Sequence, residues 1–153
     1  MRLVFGPRLA QWAMERIPHM RGGSGFGPCQ CIGFADDTGI KAVGVFHWFR
    51  EKDADVELSL AADTPKWATR GNFRALMHYA FIQLGCRRIS AHTARGNKRV
   101  RKFLEGTGFV QEGRLRFALN RREHVICYGM LREECRWLGK ENEQRHTISA
   151  RCA

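Results

Sequence analysis

Between residues 55 and 93 the chain changes its hydrophobic period twice, and that change limits what it can fold into. Val56, Leu58 and Leu60 alternate with Asp55, Glu57 and Ser59. This is the period of two of a strand with one apolar and one polar face. Phe73, Leu76, Met77, Ala80 and Leu84 then recur at helical spacing, in a segment that Thr69 opens and Gly85 ends. Residues 88–93 read as a strand again. A strand, helix and strand within one sheet join by a right-handed crossover, so the 55–61 and 88–93 strands are predicted to run parallel. The alternation also sets a carboxylate and a hydroxyl side by side on one sheet face, next to the crossover.

The flanking segments fit the same layout. Residues 7–17 read as a helix, with Pro7 in its first turn and Leu9, Trp12, Ala13 and Ile17 on one face. Pro18 and the run Arg21-Gly22-Gly23-Ser24-Gly25 end it. Residues 29–35 are strand-like, Asp36-Asp37-Thr38-Gly39 is a turn, and 41–50 reads as a strand buried on both faces. Further on, 97–107 reads as a helix with Val100, Phe103 and Leu104 inward and Gly108 as its stop. Strands are predicted around 114–119 and 124–131, then a short helix over 132–138. The expected fold is α/β: a twisted mixed sheet of about six strands, flanked by the 69–84 and 97–107 helices. One domain is expected over 1–139. The polar, aperiodic tail 140–153 is expected to be mobile.

Charge narrows the partners. The chain carries 26 Lys and Arg against 15 Asp and Glu, a formal net charge of +11. Eleven basic residues and only Glu105, Glu112 and Glu123 fall between 86 and 125, so a polyanion such as nucleic acid or a ribosome is one candidate partner. No stretch approaches the ~18 apolar residues of a spanning helix, so no membrane partner is expected. Residues 1–5 run into Gly6-Pro7-Arg8 without a signal-peptide core, and a cytoplasmic location is expected. None of the six cysteines forms a Cys-x-x-Cys pair and the six histidines are scattered singly, so free thiols and no metal site are expected.

Three segments carry a family resemblance: Asn-Phe-Arg-Ala-Leu-Met-His-Tyr-Ala-Phe-Ile-Gln-Leu-Gly-Cys-Arg-Arg-Ile over 72–89, Asn-Lys-Arg-Val-Arg-Lys-Phe-Leu-Glu-Gly-Thr-Gly-Phe over 97–109, and Glu-Gly-Arg-Leu-Arg over 112–116 followed by Tyr-Gly-Met-Leu-Arg-Glu-Glu over 128–134. In this order the chain resembles the GNAT (Gcn5-related N-acetyltransferase) superfamily, and within it the branch that acetylates N-termini of ribosomal proteins. The resemblance implies acetyl-CoA as co-substrate, a primary amine as acceptor (a protein N-terminus or a small-molecule amine), and direct attack in a ternary complex. It lays CoA along Leu60 and Ala61, onto Trp67, Ala68, Thr69, Arg70, Gly71 and Asn72 at a helix N-terminus, and onto Asn97 and Lys102. Unpaired N–H groups and the positive dipole end suit a helix N-terminus to a diphosphate.

By the same resemblance Glu57 is the candidate base for the substrate ammonium and Ser59 a second catalytic candidate, with His47 and His92 as further proton-handling residues. The chain departs from the pattern in three places. The pyrophosphate loop, Thr64-Pro65-Lys66-Trp67-Ala68-Thr69, lacks the family's glycines. Leu104 stands where many relatives have a Tyr acid, and Val100 where the ribosomal branch has Ser. About twenty-eight residues precede Cys29, where the family has about fifty forming a strand and two helices. The short front and the Trp67-Ala68-Thr69-Arg70 loop are similar to GNAT proteins of phages and prophages, in which case the host cytoplasm is the expected location. The short front also implies an open acceptor groove, or a second copy of the chain completing it as a homodimer. Two other functions stand beside acetyl transfer: a non-catalytic GNAT-like interaction module, and a nucleic-acid or ribosome binder using the 86–125 cluster.

Overall fold

The crossover unit forms as its periodicity requires. In the computed structural model, which describes residues 1–139, β4 (Asp55–Ala62) runs parallel to β5 (Arg88–Ala94), and α2 (Arg70–His78) lies in the connection between them. The other strands are β1 (Arg2–Val4), β2 (Cys29–Asp36), β3 (Gly39–Arg50), β6 (Val110–Leu119) and β7 (Glu123–Leu131); the other helices are α1 (Arg8–Arg16) and α3 (Lys98–Thr107). The seven strands make one sheet in the order β1-β2-β3-β4-β5-β7-β6, with every neighbouring pair antiparallel except β4 and β5.

Burial follows the strand alternation. Val56 and Leu58 of β4 are buried on one face with Ile89, Ile126, Tyr128 and Met130, under Phe73, Leu76 and Met77 of α2 and Leu104 of α3. On the other face Val43, Val45 and Ala61 pack against Leu9 and Ala13 of α1. The helix ends match their residues: Thr69 Oγ1 accepts from the Asn72 N–H and Asn97 Oδ1 from the Val100 N–H. Gly108, at φ 106°, takes the left-handed conformation that closes α3.

Several elements differ from the sequence expectation. The sheet has seven strands rather than about six, because residues 2–4 add an edge strand too short to show alternation. The front of the chain thus keeps a strand and one helix, and a 3-10 turn, Pro18–Met20, stands between that helix and β2. β6 begins at Val110, before the expected 114, and nearly all its side chains are exposed; an exposed edge strand carries no burial pattern to read. The segment after β7 forms only a 3-10 turn, Arg132–Glu134, instead of a helix to 138. The C-terminal part of the 69–84 helix is a π-helical turn, Tyr79–Gln83. The tail expected to be mobile lies outside the described residues. No helix among the described residues is long and apolar enough to cross a membrane.

Gly44 lets α2 sit directly on the sheet. A Cβ there would lie 2.7 Å from Cδ2 of the fully buried Leu76. Gly44→Val is therefore expected to destabilise the fold by about 1–3 kcal/mol through overpacking, seen in a urea melt as a lower midpoint with an unchanged slope.

Candidate active site

β4 and β5 pair only over Asp55–Glu57 with Arg88–Ser90. Beyond Glu57 the two strands diverge, each held by its other neighbour, β3 for β4 and β7 for β5. The divergence opens a gap in the sheet whose apex is Glu57. Directly opposed residues share a face, so the register puts His47 beside Glu57, and His92 beside Cys127, on the face that α1 only partly covers.

That polar face is wired. Glu57 Oε1 and His92 Nδ1 are 2.9 Å apart, and His47 Nε2 lies 2.9 Å from Ser59 Oγ. The Glu57 side chain is 18% exposed and that of His92 35%. Burial pushes the Glu57 carboxyl up, but the hydrogen bond and charge of His92, with the charges of His47 and His19, outweigh it and hold it below the usual carboxylate range. The hydrogen bond from His92 to this carboxylate raises the imidazole above its ordinary value of 6.5, against the opposing effect of burial. His47 goes the other way: burial, with the Phe26 ring 5.1 Å from its own, lowers it. One strand turn back, Asp55 is buried and accepts from Ser90 Oγ at 3.1 Å and from Arg50. It anchors the paired end of the two strands and does not line the gap.

At the N-terminus of α2 the expected cofactor residues divide. Trp67 is 5% exposed and packs on Phe34 at 5.4 Å and Phe103 at 5.8 Å, so its indole is core and only its backbone belongs to the loop. Asn72 is turned back, donating Nδ2 to the Trp67 carbonyl at 2.6 Å. Thr69 is the N-cap. Ala68, Thr69, Asn72 and Phe73 give their N–H groups to Pro65, Trp67, Thr69 Oγ1 and Thr69 O. The N–H groups of Arg70 and Gly71 have no acceptor among the described residues. A Cβ at Gly71 would meet nothing within 4 Å, and the Arg70 side chain is exposed. Two amides and one guanidinium thus fit a diphosphate without the missing glycines, because the loop's bulk is turned inward as Trp67.

Leu60 and Ala61 continue β4 along the gap. Asn97 caps α3 through Oδ1, so only its amide nitrogen is left for a ligand. Lys102 is exposed on α3. Among the described residues no group of three His, Cys, Asp or Glu side chains comes together as a metal site, and Cys29, Cys31, Cys86, Cys127 and Cys135 are free thiols. Sequence reading ranked His92 below Glu57; the pairing of the two was invisible there, since they are 35 residues apart and meet only because β4 and β5 are neighbours. Trp67→Ala should lower stability by ~3–5 kcal/mol, as for a buried aromatic, measurable as a fall in the urea midpoint.

No family model matches the chain and no curated protein matches it in sequence. Solved structures do match its fold. A point mutant of the spermidine N-acetyltransferase SpeG of Vibrio cholerae superposes with a TM-score of 0.69 over 92% of this chain and 99% of that one, at 15% identity. Mutant forms of the spermidine/spermine N-acetyltransferase SpeG from the same organism give 0.66 over 85% and 93%, at 16% identity. A crystal structure described as a probable acetyltransferase gives 0.62 over 71% of this chain at 24% identity, and the match spans 64% of that protein's length. The seven-stranded mixed sheet flanked by helices is therefore the fold that these acetyltransferase structures share.

Proposed function

We propose that this chain transfers the acetyl group of acetyl-CoA to a primary amine. The observation that supports this best is the divergence of β4 and β5, with unpaired amides at Arg70 and Gly71 beside it and the Glu57–His92 pair at its apex. Acetyl-CoA supplies an activated thioester carbonyl. The pantetheine arm lies in the gap past Leu60 and Ala61, with Asn97 beside it, and the diphosphate takes the Arg70 and Gly71 N–H groups and the Arg70 side chain. The acceptor approaches from the face that α1 leaves open.

An α-ammonium has a pKa near 7.7–8.0 and only the neutral amine attacks. With Nδ1 of His92 turned to Glu57, Nε2 receives the ammonium proton, while Glu57 orients the ring and stabilises its charged form. The amine nitrogen then bonds to the acetyl carbon, the carbon–sulfur bond breaks, and the CoA thiolate takes a proton from solvent on the open face. With no Tyr at position 104, no side chain of α3 is assigned to that last step. Most of the rate then comes from positioning and proton removal. The segments that resemble the ribosomal-protein branch support a protein N-terminus as acceptor; the SpeG likeness supports a small polyamine. Either reaction draws on the acetyl-CoA of the cytoplasm.

Two measurements test this. Arg70→Glu places a carboxylate at the diphosphate and should weaken acetyl-CoA binding at least tenfold by calorimetry, about 1.4 kcal/mol. Glu57→Gln should lower kcat/KM by about 10²-fold or more with acetyl-CoA affinity unchanged. The pH profile carries the sign. His92 must be neutral to accept a proton, so the rate rises as pH climbs through its raised value. Removing the Glu57 charge lowers that value and shifts the rising limb to lower pH. His19, His47, Asp55 and Arg88 also act on this pair and stay in place. A loss under threefold with an unmoved limb would sink the proton-transfer assignment.

A further inference from the structure

The structure divides the basic segment 86–125 in two. Arg88 is held by Glu112 in a two-pronged ion pair, and Glu105 accepts from the Tyr128 hydroxyl at 2.9 Å. The third carboxylate, Glu123, accepts from the Gly96 N–H at 3.0 Å. Glu105 and Glu112 are thus engaged elsewhere, and Glu123, tied to the Gly96 N–H, sits beside Arg95, Lys98 and Arg122. These residues converge with Arg101, from the β5–α3 loop, the first turn of α3 and the β6–β7 turn, on an open hollow of about 480 Å³. None of the four forms an ion pair with a carboxylate of a described residue. Arg101 is fixed, donating to Tyr128 Oη at 3.3 Å and to the Arg95 carbonyl at 3.1 Å.

The rim of the hollow is aromatic. His124 lines it, and the Phe117 ring lies 4.4 Å from the His124 ring, centroid to centroid. Phe117 is 61% exposed, and its N–H donates to His124 Nδ1 at 2.9 Å, which orients the imidazole. Clustered cations that take phosphates, beside an exposed ring that takes a base, are the two parts of a single-strand site. An acidic peptide would use the cations and leave the ring idle.

We infer that this hollow binds single-stranded nucleic acid, with Arg95, Lys98, Arg101 and Arg122 on the phosphodiester backbone and Phe117 stacked on a base. The site adjoins Asn97 but shares no residue with those assigned to acetyl transfer. The test is fluorescence anisotropy of the full chain with a labelled 20-nucleotide single-stranded RNA across salt concentrations. Four phosphate contacts predict a slope of log K against log salt near −3, at about −0.7 per contact. Arg95→Glu with Arg122→Glu should weaken binding at least tenfold and flatten that slope, and Arg95→Gln with Arg122→Gln should do so to a smaller degree. Phe117→Ala should weaken binding about fivefold or more with the slope unchanged. Arg2→Glu with Arg8→Glu, on the edge strand β1 and at the start of α1, should leave it within twofold. Thermal melts of each variant separate lost contacts from lost folding.

Four outcomes overturn the inference. They are wild-type RNA affinity in the charge-reversed and Phe117 variants, preference for a duplex of the same length, equal competition by poly-glutamate, and loss of acetyl-CoA affinity in the Arg95/Arg122 variants. The last would place the phosphates of CoA in the hollow. Acetyl-CoA calorimetry on the same proteins reads the acetyl-transfer proposal separately.

Discussion

The parallel pairing of β4 with β5 stops after three residues, and most of what is distinctive in this structure depends on that stop. A sheet interior normally satisfies every backbone donor and acceptor with a neighbouring strand. Here the two strands are held together at Asp55–Glu57 and pulled apart beyond it by β3 and β7. The paired end is locked by the buried Asp55, which collects Ser90 and Arg50. Past the lock, β4 offers a partner-free edge within the sheet, the place where an extended ligand can lie as a strand would. The carboxylate that ends the pairing is the one that meets His92.

The same geometry divides labour between the two sheet faces. α2 and α3 seal one face with a continuous apolar core, so the crossover is rigid and the N-terminus of α2 is held beside the gap. The other face is sealed only over β2, β3 and part of β4, by α1 and the loop that brings Phe26 onto His47. Among the described residues no helix covers the polar half of that face, where the Glu57 side chain is 18% exposed and that of His92 35%. For the acetyl transfer proposed above, such a face suits an amine carried on a large molecule as readily as a free one, and it lets solvent reprotonate a leaving thiolate.

The loop before α2 keeps two amides without an acceptor among the described residues, although it lacks the glycines that the family resemblance expects. Glycines in such a loop let phosphate approach the backbone. In this chain the bulk is buried instead: Trp67 closes the core between Phe34 and Phe103, and Asn72 ties the turn to the Trp67 carbonyl. The amides with no acceptor among the described residues fall one turn later, at Arg70 and Gly71, where the only side chain is a cation.

Residues 55–93 were legible in the sequence because each element there has one buried face: period two for β4, period 3.6 for α2, and a glycine at the helix end. Local preference and solvent together determine those elements, and the crossover rule determines their parallel pairing. β1, the start of β6 at Val110 and the 3-10 turn after β7 were not legible, since edge and surface segments leave no hydrophobic period behind. The identities of Glu57, His92, Arg70 and Thr69 as residues of interest came from the sequence together with the family resemblance that it carries. Their relations did not. That Glu57 and His92 share a hydrogen bond, that Trp67 faces inward, and that Arg95, Lys98, Arg101 and Arg122 face one hollow while Arg88 is neutralised by Glu112 were decided by which strands became neighbours. Such contacts join residues 24 to 35 positions apart, or more, and no local pattern encodes them.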